Sequence, residues 1–112
     1  RNMKKVRQTQ IYVGLNDSDT YRQKFETGKY VSILKRVCQG YHVAFSMSLI
    51  NGGYFHDDGT YVEENSLMLP LLDVAEQTIE EIAKDLCAFF NQESVMVSTS
   101  EAEVHFVKES IE

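Results

Sequence analysis

Gly52-Gly53-Tyr54-Phe55-His56-Asp57-Asp58-Gly59-Thr60-Tyr61, continued through Ser66-Leu67-Met68-Leu69-Pro70-Leu71-Leu72 to Phe90-Asn91-Gln92-Glu93-Ser94-Val95-Met96-Val97, is the stretch that decides the fold. Asp58-Gly59 is a tight-turn dipeptide and marks the tip of a hairpin, while Gly52-Gly53 reads as a bend or bulge just before it. From Tyr61 to Leu72 the chain reads as a strand. Its near-continuous apolar end predicts a central place covered on both faces, and Pro70 argues against a full hydrogen-bond ladder there. Asp73 with Glu76 three residues on predicts a capping box, and Ile79, Ile82, Ala83, Leu86, Phe89 and Phe90 fall on one stripe of the helix that follows. Beyond that helix, Glu93–Ser98 and Glu103–Val107 are strand-like and are separated by the polar Thr99-Ser100-Glu101. The last strand is therefore long and bulged, or split in two.

Working back from the hairpin, Tyr41, Val43, Phe45, Met47 and Leu49 alternate with His42, Ala44, Ser46, Ser48 and Ile50. A period of two predicts a half-buried strand, antiparallel to the one after the turn. Before it, Tyr30, Ile33, Leu34, Val37 and Tyr41 recur at helical spacing, which predicts a helix over 29–39 with Gly40 as its left-handed stop. A first strand, Arg7–Val13, ends in the turn-rich Gly14-Leu15-Asn16-Asp17-Ser18-Asp19. The order β, α, β, β, α, β predicts an α+β, ferredoxin-like βαββαβ sandwich: an antiparallel sheet with two helices on one face. On the other face Tyr12, Ala44, Ile50, Val62 and Met68 are the apolar candidates. A second subunit covering them is expected, because sizeable exposed apolar patches are uncommon on monomers.

A chain of 112 residues that is 43% hydrophobic supports one core. We assign the single domain to 6–108, with 1–5 as a disordered or appended N-terminus in which Arg1 and Asn2 precede an initiator Met3, and 109–112 as a frayed end. Nothing approaches the roughly 20 apolar residues of a membrane span, and the basic start lacks the apolar run of a secretory signal, so a cytoplasmic bacterial protein is expected. A net charge of −6 with scattered Lys and Arg argues against direct nucleic-acid binding. Cys38 and Cys87 have no metal-binding spacing and are expected as reduced thiols.

Three segments carry a resemblance: Ile11-Tyr12-Val13-Gly14-Leu15; Gly53 with Asp58-Gly59-Thr60-Tyr61-Val62-Glu63-Glu64-Asn65-Ser66; and Phe90-Asn91-Gln92-Glu93-Ser94-Val95. Together they resemble an uncharacterised bacterial domain-of-unknown-function family (DUF3574-like), with its Tyr-x-Gly-Leu strand and Phe-x-Gln-Glu-Ser-Val segment. The resemblance spans Ile11 to Phe106. Between Asp17 and Gln39 this chain is shorter and lacks a tryptophan-containing pattern, and Tyr54 stands where an aromatic such as Trp often follows the glycine. The resemblance implies a fold and no activity.

His56-Asp57-Asp58 offers an imidazole and two carboxylates, but a metal site needs ligands converging from separate segments, so no metal and no cofactor are expected and a polar hairpin tip is the simpler reading. His42, Tyr54, His56 and Glu93 are the candidate catalytic groups, although His42 and His105 read first as sheet-surface residues. Gln92, Glu93 and Ser94 form the sharpest polar cluster, at a helix-to-strand junction beside Gly14-Leu15. They are ligand anchors or they satisfy free backbone groups at the helix end. Tyr12, Asp57 and Asp58 complete the binding candidates. No nucleophile triad, phosphate loop or nucleotide motif is present, which leans away from an enzyme.

Three function classes stay open. The first is a protein-binding or homodimeric interaction module. The second is a small dimeric ferredoxin-like enzyme that holds a small organic substrate. The third is an acidic mobile-element inhibitor that imitates nucleic acid. A pocket lined by histidine and tyrosine would favour the second, and a continuous acidic stripe would favour the third.

Overall fold

In the computed structural model, residues 3–110 are described. Six elements follow the expected order: β1 Lys4–Gly14, α1 Thr27–Gly40, β2 Ser48–Phe55, β3 Tyr61–Leu72, α2 Glu76–Phe89 and β4 Met96–Val104. Every strand pair is antiparallel and the sheet order is β2-β3-β1-β4, so the fold is ferredoxin-like α+β. Lys4 and Lys5 belong to β1. The sequence assignments for Arg1, Asn2, Ile111 and Glu112 lie outside the described residues.

One face of the sheet is dry. Thr9, Ile11 and Val13 of β1 and Leu67, Leu69 and Leu71 of β3 are buried under Tyr30, Leu34, Val37 and Cys38 of α1 and Ile79, Ile82, Ala83 and Leu86 of α2. The helical residues lie three and four apart, as a helix that buries one stripe requires. The alternate strand residues Gln10, Tyr12, Gly14, Ser66, Met68 and Pro70 are only half-buried and form the open face. β3 is central as expected, but the chain covers one of its faces and not both.

Several local expectations are corrected. Gly40 is the last helical residue rather than a left-handed stop; Tyr41 caps α1 and His42 takes the positive φ of 57°. Residues 42–47 alternate in burial as read, and Val43, Phe45 and Met47 pack on the core, yet they form no strand. The ladder with β3 starts at Ser48↔Met68. Two residues further along, Pro70 has no N–H to offer, so only its carbonyl is used, by the amide of Ser46. Gly52 and Gly53 make no bulge but pair regularly with Glu64 and Glu63. The Tyr61 ring lies over Gly53 instead, so a side chain at residue 53 would have to displace that ring.

Asp73 is not a capping residue. It sits at φ 58°, its amide donates to the Arg7 carbonyl, and the helix begins three residues later behind Ala75 without a side-chain cap. Phe89 leaves the expected apolar stripe and is 60% exposed, whereas Phe90 is buried. β4 is neither bulged nor split: Met96–Val104 pairs without interruption with Tyr12–Lys4, and Phe106 and Val107 lie beyond it, exposed. The Asp58-Gly59 turn is as read, with Gly59 at φ 91° and its amide bonded to the His56 carbonyl.

Candidate functional site

The β2–β3 hairpin runs past the end of β1, whose pairing with β3 stops at Gly14↔Ser66. Tyr54, Val62 and Glu64 project from this overhang on the open face, because residues paired or two apart along a strand share a side. They meet the β1–α1 loop and the α2–β4 junction around a pocket of about 360 Å³. One wall is Asn16, Asp17 and Ser18 with Gln92, Glu93 and Ser94; the other is Tyr21, Tyr54, His56, Val62 and Glu64.

The first wall is tied together by hydrogen bonds. The Asn91 side-chain amide donates to Asp17 Oδ1 at 3.0 Å and to Asp19 Oδ2 at 2.9 Å, and the Ser18 amide donates to the Asn91 carbonyl at 2.9 Å. Gln92 Nε2 donates to the Asn16 carbonyl at 2.6 Å. Asp17 is nearly buried, and its carboxyl is held below the ordinary value first by the Asp19 amide and then by the Asn91 amide. It therefore remains a carboxylate against its burial.

Glu64 is fixed from the opposite wall. Its Oε2 accepts from the Asn16 amide at 3.0 Å, and its carboxylate occupies the place a side chain at residue 14 would take, so Gly14 leaves room for it. Beside it Tyr54 has its phenol raised by burial and then by the Glu64 charge. His56 stands edge-on to Tyr54, ring centroids 5.5 Å apart, and edge-on to Tyr21 at 6.4 Å. Such T-shaped pairs place ring edges against ring faces and hold the three rings as a cluster. Tyr21 and Asn91 both have positive φ, at 60° and 49°. For a bulky residue such as Tyr21 this is a strained conformation, and strain of this kind collects at functional sites.

Of the sequence candidates, Tyr54, His56, Gln92, Glu93 and Ser94 are brought together here. The other four are elsewhere. Tyr12 lies on the open face, its hydroxyl bonded to Gln10, and His42 is exposed at the end of α1. Asp58 caps its own turn through the Thr60 amide, which lowers its carboxyl, and Asp57 is in the same turn. Sequence reasoning missed Asn16, Asp17, Ser18, Tyr21, Val62 and Glu64 as site residues. One signal was available for Glu64: a glycine inside a strand marks close approach by a neighbour, and Gly14 is such a glycine.

A larger hollow of about 550 Å³ lies between the helices, lined by Ile33, Val37, Tyr41 and Phe89 among others. Its phenol and carboxylate are already paired, Tyr41 to Asp85 at 2.7 Å, which pushes the Tyr41 phenol up to about 12. Cys38 and Cys87 are both free; burial pushes the Cys38 thiol up to about 11, and Cys87 Sγ donates to the Gln92 carbonyl. No group of His, Cys, Asp and Glu with metal-holding geometry occurs among the described residues. No described helix is long and apolar enough to cross a membrane.

Searches with protein-family models and against curated proteins find no match to this chain. Solved structures do match. A phage SAM lyase in complex with S-methyl-5′-thioadenosine superposes with a TM-score of 0.65 over 88% of each chain at 20% identity. Its apo state gives a TM-score of 0.66 at 21% identity, covering 95% of this chain and 92% of that one. CPII from Thiomonas intermedia K12, bound to ADP, AMP and acetate, gives 0.55 at 13% identity over 95% and 94%. The likeness is one of fold, carried over nearly the whole length of each chain.

Proposed function

We propose that this chain is a small-molecule enzyme of the SAM lyase kind, which takes S-adenosylmethionine (SAM) into the hairpin-end pocket and releases S-methyl-5′-thioadenosine. The observation that carries this reading is the charge of the lining. Asp17, Glu64 and Glu93 converge there with two tyrosines and a histidine, and no Lys or Arg lines the pocket. Carboxylates beside aromatic rings suit a cation attached to a planar group, which describes a sulfonium bonded to an adenosine. The same lining disfavours ADP and AMP, the ligands of CPII, because nothing in it neutralises phosphate. The volume is that of a site for one small molecule.

In such a reaction the substrate's own carboxylate displaces sulfur from the side-chain carbon: a C–O bond forms as the C–S bond breaks, the electron pair returns to sulfur, and the amino-acid fragment leaves as a lactone. The cation becomes a neutral thioether. A negative pocket holds the charged substrate more tightly than that product, so the acidic lining favours capture and product release; rate enhancement must come from contacts strengthened in the transition state. Glu64, fixed by the Asn16 amide, is our choice for the group that meets the ligand's positive charge, with Tyr54 and Tyr21 against the planar base. The segments resembling the uncharacterised bacterial family border this same pocket, and we take it as that family's shared feature.

The test is direct: incubate the protein with SAM and separate the products by chromatography. Accumulation of S-methyl-5′-thioadenosine supports the reading, together with binding of SAM at least ten-fold tighter than ADP. Intact SAM and tighter binding of ADP would overturn it.

A second reading concerns assembly. Met96 is 59% exposed and Ile50 38% exposed beside Tyr12 and Met68 on the open face, and we propose that further copies of the chain cover it as a homo-oligomer. Light scattering after gel filtration tests this, and a concentration-independent monomer mass would refute it. The interaction-module reading continues in this assembly, whereas the acidic-inhibitor reading loses support because Asp17 and Glu64 line a pocket.

A further inference from the structure

We propose that His56 is the specificity residue that makes the pocket sense ligand charge: neutral, it admits the cationic substrate, and protonated, it competes with it. This rests on the reading of the site as one for SAM. Three observations on the page support it. His56 is the only imidazole in the lining, and it shares that lining with carboxylates rather than with other bases. It is wedged edge-on against both Tyr21 and Tyr54, so its position is fixed relative to the rings assigned to the base. It is also exposed at the hairpin end, where it can exchange a proton with solvent whether or not a ligand is present.

The titratable groups that share the pocket with His56 come from every segment around it. Tyr54 belongs to β2, Glu64 to β3, Tyr21 and Asp17 to the β1–α1 loop and Glu93 to the α2–β4 junction, and Asp58 of its own turn interacts with it through charge. Between pH 5.5 and 7 an imidazole is the kind of side chain that changes charge. Protonation adds one positive charge to the pocket assigned to the cation. Like charges roughly 6–8 Å apart at an exposed, water-screened site, with an effective dielectric of about 40–80, weaken binding by about 3- to 10-fold. A neutral thioether in the same pocket feels no such penalty.

The experiment measures dissociation constants for SAM and for S-methyl-5′-thioadenosine at pH 5.5 and 7.0, by calorimetry, on the wild-type chain, His56→Asn and His56→Lys. For the wild type, SAM binds about 3- to 10-fold more tightly at pH 7.0 while the thioether is unchanged. His56→Asn removes the dependence. His56→Lys weakens SAM binding at both pH values and by more than it weakens thioether binding, and circular dichroism shows that the variant is folded. A pH-independent SAM affinity in the wild type, or a dependence that survives in His56→Asn, overturns the role of His56 while leaving the SAM site standing. Absence of SAM binding at both pH values, with or without thioether binding, overturns the site assignment and this inference with it.

Discussion

Two hollows on the same chain differ in what their polar groups have left to do. The groove between α1 and α2 is the larger, about 550 Å³, but its phenol and carboxylate satisfy each other, Tyr41 to Asp85 at 2.7 Å. The hairpin-end pocket is smaller, about 360 Å³, and gathers three carboxylates, two phenols and an imidazole from segments far apart in sequence. Size alone would choose the groove. Convergent charge chooses the pocket, because keeping several carboxylates together costs free energy that packing does not require, and a fold that accepts the cost has a use for it.

The contrast can be broken most forcefully at Glu64. Glu64→Gln keeps the shape and removes the charge, and SAM affinity is expected to fall about 10- to 100-fold, the scale of a lost charge-assisted contact. The unfolding midpoint in denaturant should not move. Next in size is Gly14→Ala, whose new methyl group occupies the place of the Glu64 carboxylate. The side chain can swing aside, so the fold survives, while binding drops by about 10-fold as the Asn16 amide loses its partner. Combined with Glu64→Gln the two losses should be strongly non-additive, as expected of groups in contact.

The groove supplies the control. Tyr41→Phe leaves SAM binding unchanged and acts on stability alone. The Tyr41 phenol is raised to about 12 in the fold, first by its hydrogen bond to Asp85, so its contribution is complete below pH 10 and is lost as pH rises through about 12. Tyr41→Phe should therefore lack that step of alkaline unfolding, followed by circular dichroism. The smallest effect belongs to Asn91→Ala. Asp17 is depressed, so it stabilises the fold above the ordinary carboxylate value of 3.8 and ceases to as pH falls through its lowered value. Removing the Asn91 amide raises that value, and acid unfolding should begin at a higher pH.

The sandwich was legible because hydrophobic periodicity and the Asp58-Gly59 turn act over a few residues. Ile79, Ile82, Ala83 and Leu86 bury as their spacing requires, and β3 runs from Tyr61 to Leu72 as read. The misreadings occur where tertiary pairing overrides local preference. Asp73 resembles a cap in sequence, but its amide is taken by Arg7 across the sheet. Residues 42–47 alternate like a strand and bury like one, yet their partner strand offers Pro70 in place of an amide. Half of the pocket was visible as local clusters, Tyr54 with His56 and Gln92 with Glu93 and Ser94. Asp17, Tyr21 and Glu64 were not, since only the overhang of the hairpin beyond β1 and the clasp of Asn91 on Asp17 bring them into place.

Titrating isotope-labelled protein with S-methyl-5′-thioadenosine and following amide and aromatic NMR shifts tests the central claim most directly, since it asks which hollow is the site. The account predicts shifts concentrated at Asn16, Tyr21, Tyr54, His56, Glu64 and Gln92. Shifts centred on Ile33, Tyr41, Asp85 and Phe89, or none at saturating ligand, would contradict it.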